Sequence, residues 1–155
     1  RGLPVIVHGD GTSLWTLTHH QDFAKGFMGL LGNDQTIGEQ FHITSDEVLT
    51  WNQIFAINAQ IVGATPNIVH VPSDLIAAYD KQWGDSLLGD KMHSMVFDNS
   101  KLKRFVPNFA ATIPYSQGAR EVIEWFEADP ARQVIDPAEE QLIDRILVAY
   151  QGAFP

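Results

Sequence analysis

The sequence predicts an α-rich α/β fold built around an incomplete sheet of short strands. Three observations point there. Apolar residues recur at helical spacing in about five or six stretches, against about three to five short runs with strand character. Those runs are too few and too short for a complete doubly wound sheet. The chain has 155 residues, 45% of them hydrophobic, enough for one domain with a core of its own. No internal repeat, low-complexity tract or linker interrupts it, so residues 1–155 read as a single domain.

Leu3, Val5, Ile6 and Val7 form an apolar run bounded by Pro4 and the turn Gly9-Asp10-Gly11, which favours a strand. Residues 14–18 alternate and predict a second strand. Asp22 then fits an N-cap, with Phe23, Phe27, Leu30 and Leu31 at helical spacing and Gly32 as the stop. Residues 40–44 alternate again, with Phe41 and Ile43 on one face of a third strand. Thr50 opens a helix, and Gln53 completes a capping box. Ile54, Ile57 and Ile61 give that helix its apolar face, and Gly63 ends it. Residues 67–71 predict another strand, and Pro72-Ser73 starts a helix through Leu75, Ile76 and Tyr79. Residues 84–100 are the least regular, a loop or a helix broken near Gly89. Asp98 or Ser100 caps a short helix. Ser116 caps another, through Val122, Ile123 and Phe126. Asp136-Pro137-x-Glu139 is the plainest helix start, and Leu142, Ile143, Ile146, Leu147 and Tyr150 make its buried face up to Gly152. Trp51, Trp83, Trp125, Met28, Met92 and Met95 are expected in the core.

The formal net charge is −9. Such a surface repels nucleic-acid phosphates and anionic lipid; Lys101, Lys103 and Arg104 form the one short basic run. No apolar run approaches the length of a membrane span, and no signal peptide is visible. The chain has no cysteine, which excludes disulfides and thiolate metal sites and suits a cytoplasmic protein. It starts at Arg1, directly before a strand-like run, as expected of a processed or excised piece.

Three stretches, in order and at similar spacing, resemble the C-terminal half of extended or atypical short-chain dehydrogenase/reductases, the NAD-dependent sugar epimerases and dehydratases. The first runs from Gly9-Asp10-Gly11 through Trp15, His19 and Asp22 to Ala24. The second is Phe41-His42-Ile43-Thr44-Ser45, which is similar to the family's strand that rejoins the nucleotide-binding sheet. The third is Phe97-Asp98-Asn99-Ser100-Lys101-Leu102, followed by Pro107, Gly118 and Trp125. The resemblance implies the substrate-binding C-terminal portion of an extended Rossmann-type enzyme. NAD or NADP, and the catalytic tyrosine and lysine, would then belong to an N-terminal Rossmann domain that this chain lacks. The glycine-rich dinucleotide fingerprint is not in the sequence. Neither is a Tyr-x-x-x-Lys pair: Trp83, Ala119 and Phe154 stand four residues after Tyr79, Tyr115 and Tyr150. The chain is therefore expected to bind no cofactor and to turn over no substrate alone, since hydride transfer needs both a nicotinamide and an acid/base group.

Trp15 stands where nucleotide-sugar epimerases commonly carry an arginine. It cannot neutralise phosphate; it can stack on a ring or fill the core. Asp90, Lys91 and His93 lie in the irregular segment, where binding groups tend to be displayed. With Trp15 they are the candidate contacts for a sugar-like, nucleotide-sugar-type substrate. Gly9, Asp10, Gly11, His19, Asp22, Asp98 and Lys101 are expected to shape the fold. His8, Asp10, His19, His20 and Asp22 match no standard metal spacing, and neighbouring His19 and His20 diverge, so no metal is expected. A serine-hydrolase elbow is not present. The alternative function is a non-catalytic binding or interaction module, such as the RNA-binding relatives of the same family. The strand at residues 41–44 is expected at an open edge, a possible route to a homo-oligomer.

Overall fold

The computed structural model describes residues 2–153. The first strand, β1 (Val5–His8), leads through the Gly9–Gly11 turn to β2 (Leu14–Trp15) and helix α1 (His20–Leu30). Then follow β3 (Leu49–Thr50), α2 (Trp51–Ile61), β4 (Ile68–Val71), α3 (Ser73–Tyr79) and α4 (Lys81–Ser86), which passes into a π-helical turn (Leu87–Lys91). Helices α5 (Ser100–Phe105), α6 (Tyr115–Glu127) and α7 (Pro137–Ala153) complete the chain, with short 3₁₀ turns at Asp34–Thr36 and Pro130–Arg132. The sheets are two pairs. β1 and β4 are parallel, Val5 opposite Ile68 and His8 opposite Val71, and β2 and β3 are antiparallel, Leu14 opposite Thr50. The α-rich architecture with an incomplete sheet is the one the sequence predicts.

The core forms where α3 and α7 cover one face of the β1–β4 pair. Ile6, Val71, Ile76, Leu87, Ile146 and Leu147 are buried together, and Leu142, Ile143, Tyr150 and Trp83 pack around them. Each fully buried aliphatic side chain stabilises by about 1.5–3 kcal/mol. The locally signalled helix starts occur as expected. Thr50 and Gln53 form a reciprocal capping box, and the Asp136 carboxylate accepts from the Ala138 amide at 2.8 Å. Gly84 is required by packing: a Cβ there would lie 2.3 Å from Ala77 Cβ, so α3 and α4 could not approach as they do.

Several expectations are corrected. The second strand covers Leu14–Trp15 rather than residues 14–18. Residues 40–44 do not form a strand despite their alternation, because no neighbouring strand among the described residues offers a ladder. Side chains hold the stretch instead. The Phe41 ring meets Phe105 edge-on at 5.0 Å, and Asn99 Nδ2 donates to the Thr44 carbonyl at 2.8 Å. Helix α1 starts before Asp22: His19 is its N-cap, its Nδ1 accepting from the Gln21 amide, and Asp22 lies in the first turn. Ser116 caps nothing. Helix α6 begins at Tyr115, whose amide donates to the Glu47 carboxylate at 2.7 Å. The chain does not break at Gly89 but widens into the π-helical turn, and α7 continues through Gly152. Trp125 and Met28 are 59% and 65% exposed, and Met92 is exposed too, so these three are not core. Periodicity marked their helices as amphipathic but did not say which residues the fold covers.

Candidate functional site

The Gly9–Gly11 turn is fixed from both sides. Asp10 Oδ1 accepts from the Thr12 amide and hydroxyl, at 2.9 and 2.6 Å, and these bonds hold its carboxyl below the usual range. Asn52, at the start of α2, donates through Nδ2 to the Asp10 carbonyl and through its amide to Gly11 O. Gly11 has a positive φ of 70°, and a Cβ there would lie 2.1 Å from Asn52 Oδ1. Only glycine lets Asn52 close over this turn.

That closure brings β2, α2 and the π-helical turn together around Trp15. The Trp15 indole lies 5.6 Å from the Trp51 ring, which meets His8 edge-on at 5.1 Å. The Lys91 ammonium lies over Trp15, 5.7 Å from the ring centroid. It also donates to Ser86 Oγ at 2.8 Å and pairs with Asp90 at 3.4 Å. The Lys91 carbonyl bonds the Ser13 hydroxyl at 2.9 Å and His8 Nε2 at 3.0 Å. Burial holds the His8 imidazole below its ordinary value, and the Lys91 charge adds to this, against the raising effect of that bond. Trp15 further forms a parallel bridge with Met95, whose amide donates to Leu14 O at 2.8 Å. Three of the four sequence candidates, Trp15, Asp90 and Lys91, therefore share one small region. The fourth, His93, is exposed at its edge and tied by its amide to the Asp90 carbonyl.

The remaining candidates act on the fold. Asp22 is fully buried. Burial alone would raise its carboxyl, but hydrogen bonds from Lys25 Nζ at 2.6 Å and from the Ile113 amide at 2.8 Å, with the Thr112 amide, hold it below the usual range. His19 Nε2 pairs with Glu121 at 3.0 Å, joining α1 to α6. Asp98 accepts from the Ser100 amide and hydroxyl at the start of α5. Lys101 and Lys103 are each engaged by a carboxylate, Glu39 and Asp46, so the basic run is not a free cationic stripe. Among the described residues no three His, Asp or Glu side chains converge as metal ligands would. No described helix is long and apolar enough to cross a membrane.

Behind the His19–Glu121 pair lies a cleft of about 1080 Å³ between β1, α2 and α6. Leu3, Val5, Phe55, Val62, Ile123 and Trp125 supply its apolar lining. Among the described residues no Lys or Arg lines it, and its polar groups include Asn58, bonded to the Tyr115 hydroxyl at 2.9 Å. Sequence reasoning missed this cleft, together with Glu47, Asn58 and Glu121. Their partners lie 57 to 102 residues away in the chain, and no local pattern marks them.

The Gly9–Gly11 turn is not built as a pyrophosphate cradle. A pyrophosphate is usually held where a strand passes through a glycine turn into a helix N-terminus. Here β1 passes through Gly9 and Gly11 into a second strand.

The fold is the one found in the C-terminal part of extended Rossmann-type epimerases and dehydratases. Two solved structures share this architecture. One is UDP-glucuronic acid 4-epimerase from Bacillus cereus, in complex with UDP-glucuronic acid and NAD, with a TM-score of 0.63 and 20% identity. The match covers 81% of this chain and 35% of that one. The other is dTDP-glucose 4,6-dehydratase from Bacillus anthracis str. Ames in complex with NAD, with a TM-score of 0.62 and 18% identity over 83% of this chain and 36% of that one. Among curated proteins, 2'-dehydrokanamycin reductase of Streptomyces kanamyceticus is 29% identical over 108 residues, 70% of this chain and 30% of that protein. The chain thus spans about a third of the length of the proteins it matches. No family model matches the sequence.

Proposed function

We propose that this chain is the substrate-binding portion of an NAD-dependent epimerase, dehydratase or reductase acting on a sugar, and is not catalytically competent alone. The observation that carries this is the shared fold, which spans most of this chain but only about a third of the NAD-bound epimerase and dehydratase. A nucleotide-binding portion would hold NAD or NADP and supply the tyrosine–lysine pair. Trp15, Asp90, Lys91 and His93 would bind and orient the sugar; the open apolar cleft beside β1 is a surface on which that portion could seat. The name of the Streptomyces relative supports a sugar-type substrate and leaves the choice among the three reactions open.

Calorimetric titration of the chain with NAD tests the reading. No saturable binding is expected, and micromolar affinity would refute the division of labour. Retention on immobilised RNA at physiological salt is expected to be negligible, because Lys101 and Lys103 are already paired. Clear retention would favour an RNA-binding module instead.

A further inference from the structure

Taking the Trp15 region as the substrate-binding site proposed above, its chemistry says what kind of sugar it accepts. A nucleoside diphosphate brings two negative charges. It needs cations or free backbone amides to replace the water it loses. One cation stands in this region, Lys91, and its ammonium is already held by Ser86 Oγ and Asp90. Four backbone amides of the region are also in use. Leu14 N donates to Ser94 Oγ, Met92 N to the Leu87 carbonyl, His93 N to the Asp90 carbonyl and Met95 N to the Leu14 carbonyl. What remains is an aromatic face, hydroxyls, and the partly exposed Asp90 carboxylate with spare acceptor capacity. The whole chain, at −9, repels a polyanion and attracts a polycation.

We propose that this site takes a sugar without phosphate that carries ammonium groups, an amino sugar rather than a nucleoside diphosphate sugar. The ring lies against the Trp15 indole. A ligand ammonium pairs with the Asp90 carboxylate on its solvent side, away from the Lys91 ammonium that already covers part of the indole.

Two probes decide the matter: kanamycin as the polycationic amino sugar and UDP-glucuronic acid as the nucleoside diphosphate sugar. Each is titrated into the chain while the four indole N–H resonances are followed by NMR, the Trp15 signal being assigned from Trp15→Phe. Kanamycin is expected to shift the Trp15 resonance saturably, and UDP-glucuronic acid to leave it unmoved. Asp90→Asn is expected to weaken the kanamycin effect about three- to fivefold, as loss of one partly exposed ion pair does. Because Asp90 has its side chain 43% exposed, that variant should keep its fold, which the remaining indole signals report. If UDP-glucuronic acid moves the Trp15 resonance as strongly, the amino-sugar inference falls and the substrate-binding reading stands. If kanamycin perturbs acidic residues across the surface without Trp15, or is indifferent to Asp90→Asn, the inference also falls. If neither probe reaches Trp15, both fall.

Discussion

Removing the Asp22 carboxylate should cost the fold much more than a helix-capping group would. The side chain is fully buried, although it stands in the first turn of a helix whose other face is largely open. It accepts from the Ile113 amide at 2.8 Å, 91 residues away, and from Lys25 Nζ at 2.6 Å. Lys25 has its side chain 48% exposed, so that ion pair contributes only about 0–1 kcal/mol. The Ile113 N–H is different: truncation to alanine leaves it without its acceptor, at about 1–3 kcal/mol. Asp22→Ala should therefore lose about 2–3 kcal/mol. For a chain of this size that lowers Tm by about 4–12 °C. Asp22→Asn keeps one acceptor for Ile113 and should lose less. The assay is urea unfolding followed by tryptophan fluorescence and circular dichroism, with calorimetry for Tm. The pH dependence has a defined sign. The folded carboxyl sits below its unfolded value, so its contribution is complete above the unfolded value near pH 4 and is lost as pH falls through the folded value. The gap between Asp22 and Asp22→Asn proteins should accordingly shrink in acid below about pH 4. A loss under about 0.5 kcal/mol for Asp22→Ala, the range of an ordinary surface substitution, would refute the role given to this carboxylate.

Further outcomes follow from packing and caps. Gly84→Ala should lose about 1–3 kcal/mol in urea unfolding despite better helix propensity, because the new Cβ would lie 2.4 Å from the Ala77 backbone. Gly89→Ala, with nothing within 4 Å, should be neutral or stabilising by up to about 1 kcal/mol. Thr50→Ala removes the capping box of α2 and should cost about 1 kcal/mol by the same measurement. Trp125→Ser should cost no more than about 1 kcal/mol, the loss of the exposed Arg132 stack at 4.0 Å, and reduce binding of the apolar dye ANS, since the indole is exposed on the wall of the open cleft.

What could be read from the sequence divides according to where each element finds its partners. The Thr50–Gln53 box and the Asp136–Pro137 start satisfy their own amides within one turn, so their residue types announce them. The apolar face of α7 was legible for a related reason: it lies entirely against the core, and period alone fixes which residues turn inward. Asp22 shows the limit. An acid ahead of an apolar periodic run looks like an N-cap, but its proton donors include a backbone amide brought alongside by the tertiary fold, and nothing near it in sequence points to Ile113. Residues 40–44 fail in the opposite way. Their alternation is real, yet a strand exists only if another strand supplies its ladder, and here edge-on rings and Asn99 hold the stretch. The candidate site combines both situations. Trp15, Asp90 and Lys91 could be singled out as side chains worth watching, but their meeting depends on Asn52 closing over Gly11, a contact that only the absence of a Cβ permits. The same dependence explains the exposed apolar residues of α6. Val122 and Trp125 stand at 65% and 59% exposure beside the apolar cleft. The helical pattern of α6 marks these residues as one apolar stripe, but whether a stripe is covered depends on what the tertiary fold lays against it, and among the described residues this part of the stripe stays open beside β1.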